Sequence, residues 1–313
     1  MKIVVVGSVN LDLVATAAVL PRPGETVLGH GFTTVPGGKG ANQAIAAAFA
    51  GAQVTFIGAV GEDAFADQVR DNMAEAGLDL SLLRTVPGPS GVALIAVDDG
   101  GENLIVVAPG ANSKLLSLTE QDRAAIAAAD AVVLQLEVPV ETVQEAAEAA
   151  RAAGVPVLLN AAPARSLPAD LLASVDVLIV NQIEAQMVLG DKIDSSARRS
   201  PSASARGMHA YSLMERLREL APKIVLTVGA DGAFYADREG TWMQIPAPKI
   251  DAVDTTAAGD GFVGAFAVAY TEGKPIAETL AWACAAGAIG ATRLGASSSL
   301  ALREEIDKLA VRP

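Results

Sequence analysis

The chain has 313 residues, 51% hydrophobic and 19% charged, a balance that excludes a disordered polymer and allows one large α/β domain or two smaller ones. A net charge of −13 excludes the basic surface that nucleic-acid binding needs, and a single cysteine, Cys284, excludes an intramolecular disulfide or a multi-thiolate metal site. No apolar run reaches membrane-spanning length, and the amino-terminal stretch is too short for a signal-peptide core, so we expect a cytoplasmic protein with no membrane partner.

In chain order, residues 2–7 read as a buried strand ending at Gly7. Gly7-Ser8-Val9-Asn10-Leu11-Asp12 comes next, and polar residues just past the carboxyl end of a strand in an open α/β sheet stand where ligands bind. A simple turn is the competing reading. Residues 13–36 lack a helical period and carry Pro21, Pro23, Gly24, Gly29, Gly31 and Pro36. An Ala-rich helix is expected over 40–50, a strand over 54–57, and a helix over 64–76 closed by Gly77. Residues 91–108 read as two strands around an Asp-Gly turn.

Further strands are expected at 131–136, 155–159, 175–180 and 223–228, with helices over 119–129, 139–153 and 212–221. Continuously apolar strands alternating with helices imply a parallel sheet covered on both faces. Residues 191–210 are rich in Ser, Arg and Ala and read as a mobile, exposed loop. No linker divides the chain, so residues 1–313 are expected to form one domain. The segments at about 13–36 and 91–108 would be inserted as a small sheet, either a lid over a substrate or an edge decoration or subunit contact.

Chemistry concentrates in three stretches. The first is 253–267, where small residues lead into an apolar helix and place Ala257, Ala258 and Gly259 at its N-terminus. Free N–H groups and the helix dipole there favour an anion. Asp260 sits in the first turn. A carboxylate beside an anion site makes sense if it accepts a proton from a hydroxyl that attacks a phosphate; the plain alternative is a dipole partner. Gly259 to Gly264 matches the dinucleotide G-x-G-x-x-G string, but it comes late in the chain and no acidic residue follows at the required distance, so we reject a dehydrogenase.

The second stretch is Gly37-Gly38-Lys39-Gly40-Ala41-Asn42-Gln43, which fails the P-loop pattern because neither Ser nor Thr follows Lys39. A polar-substrate site using Asn42 competes with a plain helix cap. The third is the turn carrying Asn10 and Asp12. His30 and His209 lack ligand-like spacing.

Together these stretches resemble the PfkB carbohydrate kinase family, in particular its ribokinases. The resemblance runs nearly the whole length, through Gly-Ser-Val-Asn-Leu-Asp at 7–12, Pro-Gly-Glu-Thr at 23–26, Gly-Gly-Lys-Gly-Ala-Asn-Gln-Ala at 37–44 and Gly-Glu-Asp at 61–63. It continues through Gly-Glu-Asn-Leu-Ile at 101–105, Pro-Gly-Ala-Asn at 109–112, Gln-Leu-Glu at 135–137 and Asp-Thr-Thr-Ala-Ala-Gly-Asp at 254–260. It implies a three-layer α/β/α ribokinase-like fold with a mainly parallel central sheet, a small β-sheet lid, and a homodimer formed through the lid.

It also implies an ATP-dependent sugar kinase acting on O5 of ribose, with Asp260 as base and Ala257, Ala258 and Gly259 as anion hole. Sugar contacts fall on Asn10, Asp12, Gly38, Lys39, Asn42 and Glu137. Nucleotide contacts fall on Asn181, Glu184, Thr227, Gly229, Ala230, Asp231, Gly232 and Gly259, with Cys284 where an Asn often meets adenine. Mg²⁺ is linked to the segment Asn181 to Glu184. A potassium site falls on Asp254, Thr256, Gly290, Arg293, Gly295 and Ser299, largely through carbonyl oxygens, Arg293 through its backbone. Gln182 departs from a common Glu, removing a charge near the Mg²⁺ segment. A kinase for deoxyribose, fructose or a nucleoside is the nearer alternative, and a sugar-binding regulator without catalysis the more distant one.

Overall fold

The computed structural model describes residues 1–192 and 203–310. Its strands are β1 (Lys2–Val6), β2 (Asn10–Ala17), β3 (Gly29–Gly37), β4 (Gln53–Val60), β5 (Leu83–Thr85), β6 (Gly91–Asp98), β7 (Asn103–Ala108), β8 (Ala131–Leu134), β9 (Val157–Asn160), β10 (Val177–Asn181), β11 (Lys223–Thr227), β12 (Ala233–Asp237) and β13 (Trp242–Ile245). Its helices are α1 (Lys39–Phe49), α2 (Ala64–Glu75), α3 (Glu120–Ala127), α4 (Val140–Ala152), α5 (Ala169–Leu172), α6 (Gln182–Val188), α7 (Ala203–Leu217), α8 (Ala258–Thr271), α9 (Ile276–Ala291) and α10 (Arg303–Ala310).

Nine strands form the main sheet in the order β13-β12-β11-β10-β9-β8-β1-β4-β5. From β11 to β5 all neighbours are parallel; β12 and β13 are antiparallel additions at one edge. In β1, Ile3 and Val5 enter one apolar cluster while Val4 and Val6 enter the other. The period of two sends alternate side chains to opposite faces, and helices cover both, so every residue of the strand interior is apolar. The first cluster packs under α1, α2, α8, α9 and α10, the second under α3 to α7.

The Ala- and Gly-rich composition of α1, α8 and α9 lets these helices approach closely. A Cβ at Gly264 would lie 2.5 Å from Ala46 Cβ, so α8 can meet α1 there only without a side chain.

A second sheet has the order β3-β2-β6-β7. Its central pair, β2 with β6, is parallel and its outer pairs antiparallel. The small sheet expected from 13–36 and 91–108 is thus present, the first segment supplying most of β2 and of β3, and β2 begins at Asn10, so Asn10 and Asp12 stand in a strand rather than a turn. Residues 203–210, expected in a loop, form the first half of α7, while 193–202 lie outside the described residues. Among the described residues no helix is long and apolar enough to cross a membrane.

Candidate active site

The carboxyl ends of the parallel strands converge on the N-terminus of α8. Ala257 caps that helix with φ 57°, the one non-glycine residue of positive φ among those described. Such a backbone costs of the order of 1 kcal/mol or more in an L-residue and persists where the surroundings demand it. Ala258 N donates to Thr255 O at 3.2 Å, and Gly261 N to Ala257 O at 2.8 Å. The N–H groups of Gly259 and Asp260 have no backbone partner among the described residues. They are the first-turn donors that a helix leaves for an anion. Of the three residues expected as anion hole, Ala258 spends its N–H in a turn, while the N–H groups of Ala257 and Gly259, like that of Asp260, have no backbone partner among the described residues.

Asp260 is buried in the same turn. Asn42 Nδ2 donates to Asp260 Oδ2 at 3.1 Å, and Gln43 Nε2 donates to Asp260 Oδ1 at 2.9 Å, both from α1. Burial pushes the carboxyl's pKa up; Lys39 and the two amide donors pull it down. A buried carboxylate raised in this way and held by neutral donors is suited to taking a proton.

The Gly37–Gly40 stretch lies flat on residues 7–12. A Cβ at Gly38 (φ 92°) would come within 2.8 Å of Asn10 N, and one at Gly40 within 2.5 Å of Ser8 N. Only glycine permits that approach. It brings Lys39 and Asn42 beside the start of β2. Asn10 pairs in register with Gly37 on β3 and with Gly91 on β6. Its side chain is fixed by Asn112 Nδ2, which donates to Asn10 Oδ1 at 2.8 Å and to Val9 O at 3.1 Å, while Val9 N donates to Asn112 Oδ1 at 3.0 Å.

Glu137, just after β8, accepts from Ser8 Oγ at 2.5 Å and from Lys39 N at 3.0 Å. The Asp12 pKa is raised to about 6 by burial first and then by Glu137 and Asp260. Lys39 answers these charges: Asp260 above all, then Glu137, Glu184 and Asp12, hold its ammonium protonated against the cost of burial. Four carboxylates from four elements thus face one ammonium. Such a cluster of acceptors around one ammonium suits a neutral, hydroxyl-rich molecule.

Along the sheet, Asn181 and Thr227 are register partners at the carboxyl ends of β10 and β11. Asn181 caps α6: its Oδ1 accepts from Ile183 N at 2.9 Å and Glu184 N at 3.0 Å, while Asn181 N donates to Glu184 Oε2 at 2.7 Å. Burial raises the Glu184 pKa despite the Asn181 N–H and Lys39. Beyond Thr227 the chain makes a tight turn through Gly229, Ala230 and Asp231 to Gly232, closed by Val228 N to Gly232 O at 2.8 Å. Gly232 must be glycine, since a Cβ would sit 2.0 Å from Ile245 O. Gly229 and Ala230 are exposed.

Cys284 faces the apolar cluster beneath α8 and α9, and burial lifts its thiol pKa to about 12. Behind α8, Val253 N and Asp254 N both donate to Ala291 O, at 2.8 and 3.2 Å, and Gly295 N donates to Asp254 Oδ2 at 3.0 Å. Thr256 N also donates to Asp254 Oδ1, at 2.9 Å, and Arg293 N to Gly290 O, at 3.1 Å. The Arg293 side chain pairs with Glu305, and Ser299 Oγ donates to Ala296 O at 2.8 Å.

Among the residues of this arrangement absent from the predicted sites are Gln43 and Asn112. They act on site residues rather than on open space. Both lie inside stretches that carry the family resemblance, which is the only sequence signal they leave.

A helix N-terminus with unpartnered first-turn N–H groups and a buried carboxylate beside it, at the end of a mainly parallel α/β sheet, fits the small-molecule kinase class. The pfkB family carbohydrate kinase model matches residues 1–302, and the chain belongs to that family. A ribokinase of Haemophilus influenzae is 38% identical over 303 residues, 96% of this chain and 95% of its own. A deoxyribokinase of Salmonella typhi is 35% identical over 312 residues, 98% of each. The structure of Arabidopsis thaliana ribokinase complexed with ribose and ATP superposes with a TM-score of 0.88 at 30% identity, covering 100% of this chain and 99% of that one.

Proposed function

We propose that this protein is an ATP-dependent ribose kinase that transfers the γ-phosphoryl group of ATP to O5 of D-ribose. The observation that carries the proposal is Asp260, buried within the turn whose free N–H groups await an anion. Ribose would lie over Gly38, with Asn10, Asp12, Lys39, Asn42 and Glu137 available to its hydroxyls. Asp260 accepts the O5 proton as O5 attacks the γ-phosphorus, while the N–H groups of Gly259 and Asp260 stabilise charge on the transferring oxygens. Lys39, protonated beside Asp260, adds a positive charge between the two substrates. Asn181, Thr227 and the turn from Gly229 to Gly232 would line the nucleotide.

Mg²⁺ would be held near Glu184 and Asn181, and it supplies neutralisation of phosphate charge. No cluster of three His, Cys, Asp or Glu side chains is placed to hold a metal among the described residues, so the ion would rest chiefly on ATP oxygens and water. The loops of Asp254–Thr256 and Gly290–Gly295 offer carbonyl oxygens, a donor set that fits a hard monovalent cation such as K⁺. Burial works against the charge on Asp254, but hydrogen bonds from Thr256 and Gly295 outweigh it and keep its pKa low. That cation would add positive charge behind the anion site.

The small sheet leaves Phe32, Leu94, Leu104, Ile105, Val106 and Val107 exposed, a surface that a second copy of the chain would cover as a homodimer. Cytoplasmic placement belongs to the same proposal, since ATP is an intracellular donor. ADP release measured with ribose and deoxyribose, with and without Mg²⁺ and K⁺, tests the reading. Ribose is expected to give the highest kcat/KM and K⁺ to raise turnover. ADP release with deoxyribose but not ribose would move the substrate, and none with any sugar would remove the kinase reading.

A further inference from the structure

Gln43 is completely buried, next to Asn42 on α1, and its amide touches the carboxylate of Asp260. Its orientation is fixed from the backbone outward. Asn160 Nδ2 donates to Ile179 O of β10 at 3.2 Å. A carbonyl only accepts, so the Asn160 atom facing it is nitrogen, and Asn160 Oδ1 is turned to Gln43. That oxygen also only accepts, so Gln43 presents Nε2 to it, at 2.9 Å. The second proton of the same nitrogen goes to Asp260 Oδ1, at 2.9 Å. No flip of either amide satisfies this chain in the other sense.

Two further observations show that the arrangement is built in. A Cβ at Gly264 would lie 2.7 Å from Gln43 O, so the bare backbone of α8 is what admits Gln43 to Asp260. Gln43 Oε1 meanwhile has no partner among the described residues. A buried unpaired amide oxygen costs stability, and an apolar side chain of the same size would avoid that cost.

We propose that Gln43 is a positioning residue: anchored through Asn160 to β10, it holds Asp260 Oδ1 as an acceptor only and so makes Oδ2 the oxygen that takes the sugar proton. This rests on the reading of Asp260 as the base. In the step itself the sugar O–H bond breaks and an Oδ2–H bond forms, the sugar oxygen bonds to the γ-phosphorus, and the bond from that phosphorus to the bridging oxygen breaks to release ADP. Protonation at Oδ1 would set two protons against each other at the Gln43 contact. Oδ2 also has a single amide partner, Asn42 Nδ2, but that amide has no second anchor: Asn42 Oδ1 has no partner among the described residues, so the amide can turn its oxygen to a proton on Oδ2, which the Gln43 amide, held by Asn160, cannot do at Oδ1. The charged groups facing Asp260 are Lys39 on α1, Glu137 after β8, Asp12 on β2 and Glu184 on α6. None of them fixes Oδ1.

Gln43→Met keeps the volume and removes the donors. In the full chain we expect kcat with ribose to fall about tenfold or more. The acid limb of the kcat–pH profile should move to higher pH, because a donor that favours the carboxylate is lost. KM for ATP should hold, and Tm should fall modestly, since Asn160 Oδ1 and Asp260 Oδ1 lose their donor while the unpaired Gln43 Oε1 is removed. Should Gln43→Met not fold, Asn160→Leu frees the same amide and should move the limb in the same direction by less. An unmoved acid limb beside a lowered kcat would mean packing alone and overturns the proposal. A ¹³C-carboxyl titration of Asp260 in wild type and Gln43→Met separates the two levels. Wild type inactive on every sugar sinks the base reading, whereas an Asp260 titration unchanged by the substitution sinks the role of Gln43.

Discussion

The two halves of the proposed site are built differently. On the proposed sugar side several side chains are already paired: Asn10 with Asn112, Glu137 with Ser8, Asp260 with Asn42 and Gln43. On the nucleotide side the contacts expected at 229–232 are a turn of backbone whose outer residues, Gly229 and Ala230, are exposed. Pre-paired groups keep their geometry between turnovers, which is what discrimination among hydroxyl patterns requires. A backbone turn suits a ligand gripped mainly through phosphates and a flat ring. Substitutions should therefore cost far more on the first side than on the second.

The largest break is Asp260→Asn, which keeps the shape and removes the proton acceptor. Turnover should fall by roughly 10²-fold or more. Calorimetric binding of ribose and ATP should persist, and near-normal turnover would remove Asp260 as base. Next is Asn112→Ala, which releases Asn10 and strands Val9 N. It should raise KM for ribose about tenfold, in line with 1–3 kcal/mol for a buried pair broken on one side, and leave KM for ATP alone. Equal changes in both would dissolve the contrast between the halves.

Asp12 gives a pH test. Its pKa of about 6 lies above the ordinary 3.8, so the folded state binds more protons than the unfolded state across that window. Stability contributed by this group is present at low pH and falls as pH rises toward 6. Asp12→Asn should then raise Tm at pH 7, on the order of a few °C, and not at pH 3.5. In the wild type, ribose KM should climb below about pH 6 as Asp12 loses its charge, with ATP KM flat. A Tm gain at both pH values would locate its origin in something other than the charge. The smallest effect is expected at Gly229→Ala. Its φ of 53° is strained for alanine, yet a Cβ would meet nothing within 4 Å. The cost should be about 1 kcal/mol of stability, with ATP KM little changed, whereas Gly232→Ala must collide with Ile245 O. Similar Tm losses in the two variants would show that strain, not space, governs this turn.

Local pattern was enough for the parallel core. Runs such as Ile3-Val4-Val5-Val6 and Leu178-Ile179-Val180 can only be strands covered on both faces, and the helices between them follow their apolar period. Short elements left too little pattern: β12 and β13 have five and four residues, and their pairing rests on a turn that Asp237 closes through Glu239 N and Thr241 N. A small sheet was expected from 13–36, but the bounds of its strands were not legible, because β3 is almost wholly exposed and so lacks an apolar alternation to read.

Sequence by itself determined the alternating α/β plan, the helix start at Ala257–Gly259 and the presence of an acid in its first turn, because each depends on neighbours within a few residues. Tertiary structure decided what that acid is. Asp260 meets Asn42 and Gln43 across 218 and 217 residues of chain, Asn10 meets Asn112 across 102, and Ser8 meets Glu137 across 129. Burial, donor direction and the choice between two carboxylate oxygens arise only where such distant segments pack, because hydrogen-bond polarity and desolvation are properties of the assembled site.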